Sequence, residues 1–161
     1  MKTNHDLVMT TLAYLRDGNR TLMLKRPSKE GYEKGGSYNG LGGKFMPGES
    51  PEECIKREVF EEAGVIVEAL ELKGHITFPG FFDGTDCYMY VYLITKWSGE
   101  PRSSSEGQLE WHDTDKLTDL PLYEGDRVFL PWLDQPRFFS AVLRYDNYEF
   151  RSYEVDFYGP E

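Results

Sequence analysis

The sequence predicts an α+β fold built from mixed strands and a small number of helices. Three observations lead to this prediction: β-prone runs occur before and after one strongly marked helix, a second helical segment lies late in the chain, and no repeat or linker divides the sequence. The chain of 161 residues suits one domain. A domain of this length buries roughly 70% of the surface of its unfolded chain. We therefore expect residues 1–161 to form a single layered domain.

The N-terminal elements are predicted to be a β-hairpin followed by a loop. Residues 7–15 are rich in Thr and apolar side chains, residues 16–19 contain the turn dipeptide Asp-Gly, and residues 21–24 form the partner strand. Residues 27–37 show no periodicity and contain three glycines. Such a composition is typical of a polar surface loop, and this one is expected to lie over the site.

The best-marked element is a helix that begins after Ser50 and ends at Gly64. Ser50 is a favourable N-cap, Pro51 stands at the first helical position, and Glu53 completes a capping box with Ser50. Glycine is the residue type that most often follows the end of a helix. These four residues define both ends of the helix.

The later elements are assigned from β propensity, turn residues and helical patterns. Extended segments are predicted at 65–78, 87–97 and 109–112, loops at 79–86 and 98–107, helical segments at 114–120 and 123–133, and a closing hairpin at 137–145 and 148–157. Strands therefore outnumber helices, and the long helix after Ser50 is the main helical layer.

Three carboxylates lie on one side of that long helix. At roughly 100° of rotation per residue, Glu58, Glu61 and Glu62 fall within about 100° of arc. The apolar side chains lie around the other side and are expected to be buried: Ile55, Val59, Phe60 and Ala63. Like charges four residues apart destabilise a helix by about 0.2–0.5 kcal/mol, and one arginine, Arg57, cannot neutralise three carboxylates. Such hard oxygen ligands select Mg²⁺ or Mn²⁺, whereas the alternative is an acidic face that only contacts water.

The spacing of these residues resembles the Nudix box, Gly-x5-Glu-x7-Arg-Glu-apolar-x-Glu-Glu-x-Gly-apolar. The sequence fits this pattern at every specified position: Gly43, Glu49, Arg57, Glu58, Val59, Glu61, Glu62, Gly64 and Val65. The preceding residues 38–44, Tyr-Asn-Gly-Leu-Gly-Gly-Lys, are similar to the MutT branch of the family. The resemblance implies an α/β/α sandwich with a mixed β-sheet.

The resemblance also implies metal-dependent hydrolysis of a nucleotide. On the family pattern, the Gly42 carbonyl, Glu58 and Glu62 bind Mg²⁺, for which Mn²⁺ can substitute, and Glu61 is shared between metal binding and water activation. Metal coordination lowers the pKa of bound water and neutralises charge on the phosphates. Glu106 stands where related enzymes often place a further acidic ligand or base.

Three further residues are assigned supporting roles around the carboxylates. Contact at i,i+4 lets Arg57 orient Glu61, and Glu49 is expected to support Arg57. Lys44 is the candidate for a phosphate contact, with a solvated surface lysine as the alternative.

A second group of residues is assigned to recognition of the base. Asn39 matches the base-contacting Asn of the family, and its alternative role is that of a turn residue. Phe78 and Tyr123 are candidates for stacking, which contributes about 1–3 kcal/mol per stacked base; the alternative for both is core packing. The segment Tyr-Glu-Gly-Asp that ends at Asp126 aligns with Trp-Pro-Asp-Asp of the oxidised-purine branch. It keeps one of the two aspartates, so Asp126 is the candidate that reads the base edge.

Composition excludes several classes of function. A formal net charge of −10 argues against nucleic-acid or anionic-membrane binding, and leaves a small nucleotide bridged by metal as the expected partner. Two cysteines, Cys54 and Cys87, are too few for a zinc site or a disulfide framework. The N-terminus lacks the pattern of a signal peptide and no run approaches a membrane span, so a cytoplasmic protein is expected. A Walker phosphate loop is excluded because Tyr38 and Phe45 replace the required Gly and Ser/Thr.

The expected function is Mg²⁺-dependent pyrophosphohydrolysis of a purine nucleoside triphosphate such as 8-oxo-dGTP. Two alternatives stay open from the sequence. One is a Nudix hydrolase of a dinucleoside polyphosphate, ADP-ribose or a capped 5′ end. The other is a catalytically silent nucleotide-binding regulator, against which the intact Glu58, Glu61 and Glu62 argue.

Overall fold

The fold was analysed in a computed structural model, which describes residues 6–27 and 38–161. The loop expected at 27–37 therefore lies, apart from Pro27, outside the described residues. Within the described ranges, most strands and helices follow the predicted order, with differences at several boundaries.

Nine strands form one mixed sheet in the described part of the chain. They are β1 (Leu7–Asp17), β2 (Arg20–Lys25), β3 (Tyr38–Asn39), β4 (Leu41–Lys44), β5 (Ile66–Phe82), β6 (Thr85–Ser98), β7 (Gln108–Asp113), β8 (Phe138–Asp146) and β9 (Glu149–Tyr158). The main order is β3-β2-β1-β6-β5-β8-β9, with β4 paired to β1 and β7 paired to β2.

Strand β1 holds the centre of the sheet and positions the site. It runs parallel to β6, from Leu7 opposite Asp86 to Leu15 opposite Ile94. Its other edge pairs antiparallel with β4, where Leu12 lies opposite Gly42. Because successive side chains of a strand point to opposite faces, β1 contributes to the cores on both sides of the sheet.

Helices cover the sheet on both faces. Helix α1 (Pro51–Ala63) packs on one face, which we call the α1 face. Helix α2 (Glu124–Phe129) and the 3-10 turn Leu130–Asp134 pack on the other, the α2 face. The core of the α1 face consists of Ala13, Leu15, Leu22, Leu24, Leu41, Ile55, Val59, Ala63, Val65, Val67, Tyr92 and Ile94. The core of the α2 face includes Tyr14, Met23, Ile76, Phe78, Val91, Phe129, Leu130, Leu133, Phe139, Ala141 and Leu143. The α/β/α arrangement implied by the resemblance is thus present.

Several local predictions were wrong. The loop expected at 79–86 is mostly strand, because β5 extends to Phe82, β6 begins at Thr85, and only two residues form the turn. Asp83 and Gly84 both have positive φ there, as a tight hairpin needs. The segment 123–133 is not one helix but α2 followed by a 3-10 turn, and 114–120 is also 3-10, at Thr114–Asp119. Strands β3 and β4 were not predicted, since each has at most four residues and β4 contains two glycines.

The sequence also misplaced Phe60, which was expected to be buried but is 57% exposed. It lies at the edge of the apolar stripe of α1, beyond the reach of the sheet. No helix among the described residues is both long and apolar enough to cross a membrane.

Candidate active site

The site is built on the fixed start of α1. Ser50 accepts a hydrogen bond from the backbone N–H of Glu53, and the Glu53 side chain accepts one from the N–H of Ser50. At the other end Gly64 adopts the left-handed conformation and its N–H donates to the Phe60 carbonyl. Both capping predictions are confirmed. The two caps fix where the helix begins and ends, and so fix the positions of Glu58, Glu61 and Glu62 relative to the sheet.

Strand β4 approaches the helix closely because it carries two glycines. A Cβ on Gly42 would lie 2.0 Å from the Thr11 carbonyl oxygen, and its φ of 153° is rare for residues with side chains. A Cβ on Gly43 would lie 2.6 Å from the Glu58 carboxyl group. Gly42 therefore lets β4 lie close to β1, and Gly43 lets the Glu58 carboxyl group lie against β4.

Arg57 is the centre of an ion-pair network beside the strand. Its guanidinium contacts Glu49 at 2.7 and 2.9 Å, Glu58 at 2.9 Å and Glu61 at 3.3 Å. It also donates to the Lys44 carbonyl oxygen at 3.1 Å. Hydrogen bonds from Arg57, together with one from the Met46 backbone, lower the pKa of Glu49 to about 2. The contacts expected for Arg57 with Glu49 and Glu61 are present, and one planar side chain orients three carboxylates.

Glu62 is the most deeply buried carboxylate of the group. Only 2% of it is exposed, and Oε1 accepts a hydrogen bond from the Gly42 N–H at 2.8 Å. Burial raises its pKa to about 7, although the Gly42 bond and the nearby Arg26 act in the opposite direction. Burial also raises the pKa of Glu58, against the effect of Arg57. The helix face carrying these carboxylates is therefore partly dry, and the interpretation as a fully solvated acidic face is wrong.

Glu106 reaches the same place from the loop before β7. Its carboxylate lies 4.0 Å from Arg26, which in turn lies 3.6 Å from Glu62. The charge of Glu106 is close enough to raise the pKa values of both Glu58 and Glu62. The structure thus brings together four acidic residues that are up to 48 positions apart in sequence.

Sequence analysis missed Arg26. The available signal was the Lys25-Arg26 pair at the end of a β-prone run, directly before the unassigned loop. Its guanidinium bridges Glu62 and Glu106 and supplies positive charge on the side of the cluster opposite Arg57.

The donor set fits a hard divalent cation. In the described ranges, no three His, Cys, Asp or Glu side chains are arranged to coordinate one ion as they stand. The donor atoms that Glu58, Glu61, Glu62 and Glu106 supply there are all carboxylate oxygens. Oxygen ligands of this kind suit Mg²⁺ or Mn²⁺ far better than softer metals.

Lys44 lies at the end of β4, next to the carboxylate cluster. Its side chain is exposed, and Nζ lies 5.2 Å from the centre of the Phe82 ring. Lys44 lies opposite Thr10, whose hydroxyl contacts Cys87 of the α2-face core, so its side chain extends on the side of the sheet away from α1. The aromatic face attracts the ammonium group without neutralising it. Lys44 is thus available to an anionic ligand.

Two of the base-recognition candidates lie on different faces of the sheet: Asp126 is on α2, whereas Asn39 lies opposite Leu24, a residue of the α1-face core. Asn39 ends β3 and is half-buried. Asp126 lies in the first turn of α2, and β3 is tied to the segment before that helix by a bond from the Tyr38 N–H to the Pro121 carbonyl. Burial raises the pKa of Asp126 to about 7.

The two aromatic candidates differ in exposure. Phe78 is only 8% exposed, and its ring packs against Phe81 and Tyr145, with centroids 5.6 and 6.3 Å away. Phe78 is therefore a core residue, which is the alternative to base stacking that the sequence left open. Tyr123 is half-buried and lines a cavity of about 500 Å³ together with Tyr145 and Phe150.

Both cysteines are free and buried, as expected. Cys54 contacts the Thr11 hydroxyl at 3.3 Å beneath the carboxylate cluster, and Cys87 contacts Thr10 at 3.4 Å. Burial raises the pKa of each thiol, so both side chains are protonated and serve packing.

Comparison with known proteins places this geometry in a family. The family model described as the NUDIX domain matches residues 6–133. An oxidized purine nucleoside triphosphate hydrolase of Danio rerio is 27% identical over 142 residues, which cover 88% of each chain. The protein of the same description from Mus musculus is 32% identical over 114 residues, which cover 70% of this chain and 72% of that one.

A solved structure gives the same result for the fold. The crystal structure of a MutT protein from Bacillus halodurans superposes with a TM-score of 0.80 at 30% identity. The match covers 92% of this chain and 97% of that one.

Proposed function

Because this chain belongs to the Nudix hydrolase family, we propose that it is a Mg²⁺-dependent pyrophosphohydrolase of purine nucleoside triphosphates. The preferred substrates would be oxidised purines such as 8-oxo-dGTP, and the products a nucleoside monophosphate and pyrophosphate. Residues 1–161 would act as one catalytic domain.

The observation that carries the proposal is a cluster of four carboxylates, two of which, Glu58 and Glu62, lie against the glycines of β4. Glu58, Glu61 and Glu62 project from α1, and Glu106 joins them through Arg26. Like charges crowded in a partly dry site destabilise one another unless a cation is bound. A fold that retains such a cluster next to an open lysine is suited to bind a metal–polyphosphate complex.

The residues that would hold the metal are Glu58, Glu61, Glu62, Glu106 and the carbonyl of Gly42. Nudix hydrolases generally use divalent metal ions, and a bound Mg²⁺ neutralises phosphate charge and lowers the pKa of a water molecule. Mn²⁺ could replace it because both ions prefer carboxylate oxygens.

Glu61 is the candidate to accept the proton of the attacking water. It is the most exposed of the three helix carboxylates, with 53% of its side chain accessible, and Arg57 fixes its direction. The water oxygen would form a bond to phosphorus while the P–O bond to the leaving pyrophosphate breaks. Arg57 would act through Glu61 and Glu58, since its guanidinium is already occupied by Glu49.

The phosphates would be held by two cations, Arg26 at the cluster and Lys44 at the end of β4. Lys44 is exposed, and Arg26 bridges two acidic residues of the cluster, Glu62 and Glu106. The Arg26 guanidinium would pair with phosphate oxygens, which accept two parallel hydrogen bonds from it, and a bound metal would supply the positive charge that Glu62 and Glu106 then require.

Base recognition would use Asn39 and Asp126, with Tyr123 as the stacking face. Two relatives described as oxidized purine nucleoside triphosphate hydrolases support an oxidised purine as the base to be recognised. An 8-oxo-guanine carries an N7–H donor and an O8 acceptor where guanine has an N7 acceptor and a C8–H. Each unmade bond in a buried site costs about 1–3 kcal/mol, so roughly 10- to 100-fold in kcat/KM per contact is expected.

A substrate panel tests the proposal. We expect hydrolysis of 8-oxo-dGTP to exceed that of dGTP, dATP, ADP-ribose, a dinucleoside tetraphosphate and a capped RNA 5′ end, with pyrophosphate as a product. Chelation should abolish turnover, and Mg²⁺ or Mn²⁺ should restore it, while Ca²⁺ should restore it poorly because it prefers larger, looser coordination.

Different outcomes separate the alternatives. A tetraphosphate, ADP-ribose or capped end as the best substrate would leave the chain a Nudix hydrolase but overturn the purine triphosphate assignment. Binding of nucleotide with no turnover of any substrate in Mg²⁺ would identify a silent regulator. Full activity in EDTA would refute the metal dependence.

A further inference from the structure

The Tyr14 hydroxyl is a buried polar group that lacks a hydrogen-bond partner. Tyr14 is 0% exposed, and in the described part of the chain its hydroxyl is the one buried side-chain oxygen or nitrogen left without a partner. Burying an unpaired hydroxyl destabilises a protein, whereas a phenylalanine would fill the same space without that penalty. The presence of tyrosine here therefore calls for a functional explanation.

The phenol ring of Tyr14 lies at the base-recognition region. A Cβ on Gly40 would be 3.0 Å from Cε1 and Cζ of the ring, so the hydroxyl end packs against the residue that follows Asn39. The ring also packs against Phe129 of α2, with centroids 6.4 Å apart. Tyr14 thus lies between β3 and α2, the two elements that carry Asn39 and Asp126.

Asp126 is a half-buried carboxyl group in the same place. Its backbone N–H donates to the Tyr123 carbonyl oxygen, and Phe129, which packs on the Tyr14 ring, follows it by three residues on the same helix. Residues three apart lie on one side of a helix. The Asp126 charge also raises the pKa of the Tyr14 phenol, in addition to the larger effect of burial. An unpaired hydroxyl donor and a half-buried carboxyl acceptor therefore lie on the same side of α2.

Tyr145 provides a contrast within the same region. Its hydroxyl also lies near Asp126 but accepts a hydrogen bond from the Gly125 N–H at 2.7 Å, which fixes the start of α2. The backbone that carries Asp126 is thus held in place, while its carboxyl group and the Tyr14 hydroxyl are left to a third partner.

We propose that Tyr14 is a positioning residue for base specificity: when a purine base binds, its hydroxyl hydrogen-bonds to the Asp126 carboxyl group and directs the other carboxyl oxygen to the base edge. This inference rests on the proposed function, because it requires a purine at Asn39 and Asp126. It adds a residue on β1 to the specificity site that has no contact with the phosphates or the carboxylate cluster.

The test is a double-mutant cycle with Tyr14→Phe and Asp126→Asn. The measured quantity is the ratio of kcat/KM for 8-oxo-dGTP to that for dGTP under saturating Mg²⁺. Tyr14→Phe should reduce this ratio about 10-fold through KM, with kcat unchanged, because the reacting phosphates are not affected. Asp126→Asn should reduce it at least as much, and the double variant should show no further loss, since the two residues act as one unit.

A binding measurement without turnover accompanies the kinetics. Calorimetric titration of the 8-oxo-dGMP and dGMP products in EDTA should show the same loss of preference in Tyr14→Phe. The matched control is Tyr92→Phe, because Tyr92 is equally buried but lies on the α1 face and its hydroxyl bonds to Glu52. This control should lower the Tm and leave the preference unchanged, whereas Tyr14→Phe should leave the Tm unchanged or raise it.

Two results would overturn the proposal while the proposed function stands. One is a wild-type preference for the oxidised base that Tyr14→Phe leaves intact; the other is additive losses in the double variant. A wild-type enzyme that shows no base preference, or no turnover of purine triphosphates, would overturn the proposed function and this inference with it.

Discussion

The two faces of the sheet differ in how completely their polar side chains are hydrogen-bonded. On the α1 face, Arg57 bonds to Glu49, Glu58 and Glu61, and Glu62 bonds to the Gly42 backbone. On the α2 face, the Tyr14 hydroxyl is unpaired and Asp126 is desolvated. The α1 face is thus organised by its own contacts before any ligand binds, whereas the α2 face leaves bonds to be made.

On the proposed function, this difference would separate chemistry from selection. A pre-formed carboxylate network would require little rearrangement when metal and phosphates bind, which favours rate. A buried unpaired hydroxyl would instead penalise any ligand that leaves it unpaired, which favours discrimination. We therefore expect variants on the α1 face to change turnover for all substrates, and variants on the α2 face to change the ranking of substrates.

Replacement of Glu61 by glutamine should have the largest effect. The variant keeps the shape of the side chain and removes the proton acceptor, so kcat should fall by at least about 100-fold for every substrate. The Tm should change little, because the ion pair with Arg57 is half exposed and such pairs contribute about 0–1 kcal/mol. Steady-state kinetics in saturating Mg²⁺ and a thermal melt measure both quantities.

Glu68→Gln is the matched control for this variant. Glu68 forms a surface ion pair with Lys96 at 3.6 Å, away from the carboxylate cluster. Its replacement should alter neither turnover nor base preference. Wild-type rates in Glu61→Gln would remove Glu61 from the catalytic group.

The α1 face was largely predictable because its signals are local. The capping residues, the acidic spacing and the contact of Arg57 with Glu61 all lie within one helix, where geometry follows from sequence separation. The burial of Glu62 was not predictable, since it depends on how closely glycine strand β4 approaches the helix. Arg26 was missed for a similar reason, because it reaches the cluster only through tertiary packing.

The α2 face was predicted less well because its signals are not local. Tyr14 lies in an apolar strand and gives no sequence sign that its hydroxyl is unpaired. Phe78 was a candidate for stacking, but packing against Phe81 and Tyr145 fills its ring faces. The segment after Tyr123 was expected to be a continuous helix, yet Pro131 lies within it and the chain tightens to a 3-10 turn.

Arg57→Lys should have the second-largest effect and sharpen the view of the α1 face as one unit. A lysine keeps the charge but cannot form the paired bonds to Glu49 while also contacting Glu58 and Glu61. We expect kcat to fall about 10- to 100-fold for all substrates, as for other residues that orient metal ligands. The ratio of kcat/KM for 8-oxo-dGTP to dGTP should stay constant.

A change in the ratio of kcat/KM for 8-oxo-dGTP to that for dGTP would contradict the proposal that the α1 face sets turnover and the α2 face sets base preference. The matched control is Arg20→Lys, since Arg20 begins β2 and its acidic partner, Asp17, is 3.8 Å away at the surface. It should leave both kcat and the ratio unchanged.

The smallest expected effect concerns stability on the α2 face and its dependence on pH. Burial raises the pKa of Asp126 from 3.8 to about 7 in the folded protein. Between these values the unfolded chain has released the proton while the folded protein still holds it, so Asp126 lowers stability progressively as pH rises from about 4 to about 7.

Asp126→Asn removes this titration. The quantity to measure is the Tm of the ligand-free variant minus the Tm of wild type. This difference should increase by at least about 3 °C between about pH 4 and about pH 7 and stay constant above about pH 7. The size follows because 1 kcal/mol shifts the Tm of such a domain by about 2–4 °C. Other titrating groups, including Glu62, are common to both proteins and cancel in the difference. A Tm difference that does not vary with pH would show that Asp126 is solvated, and the α2 face would then lack the buried carboxyl group that the proposed base selection requires.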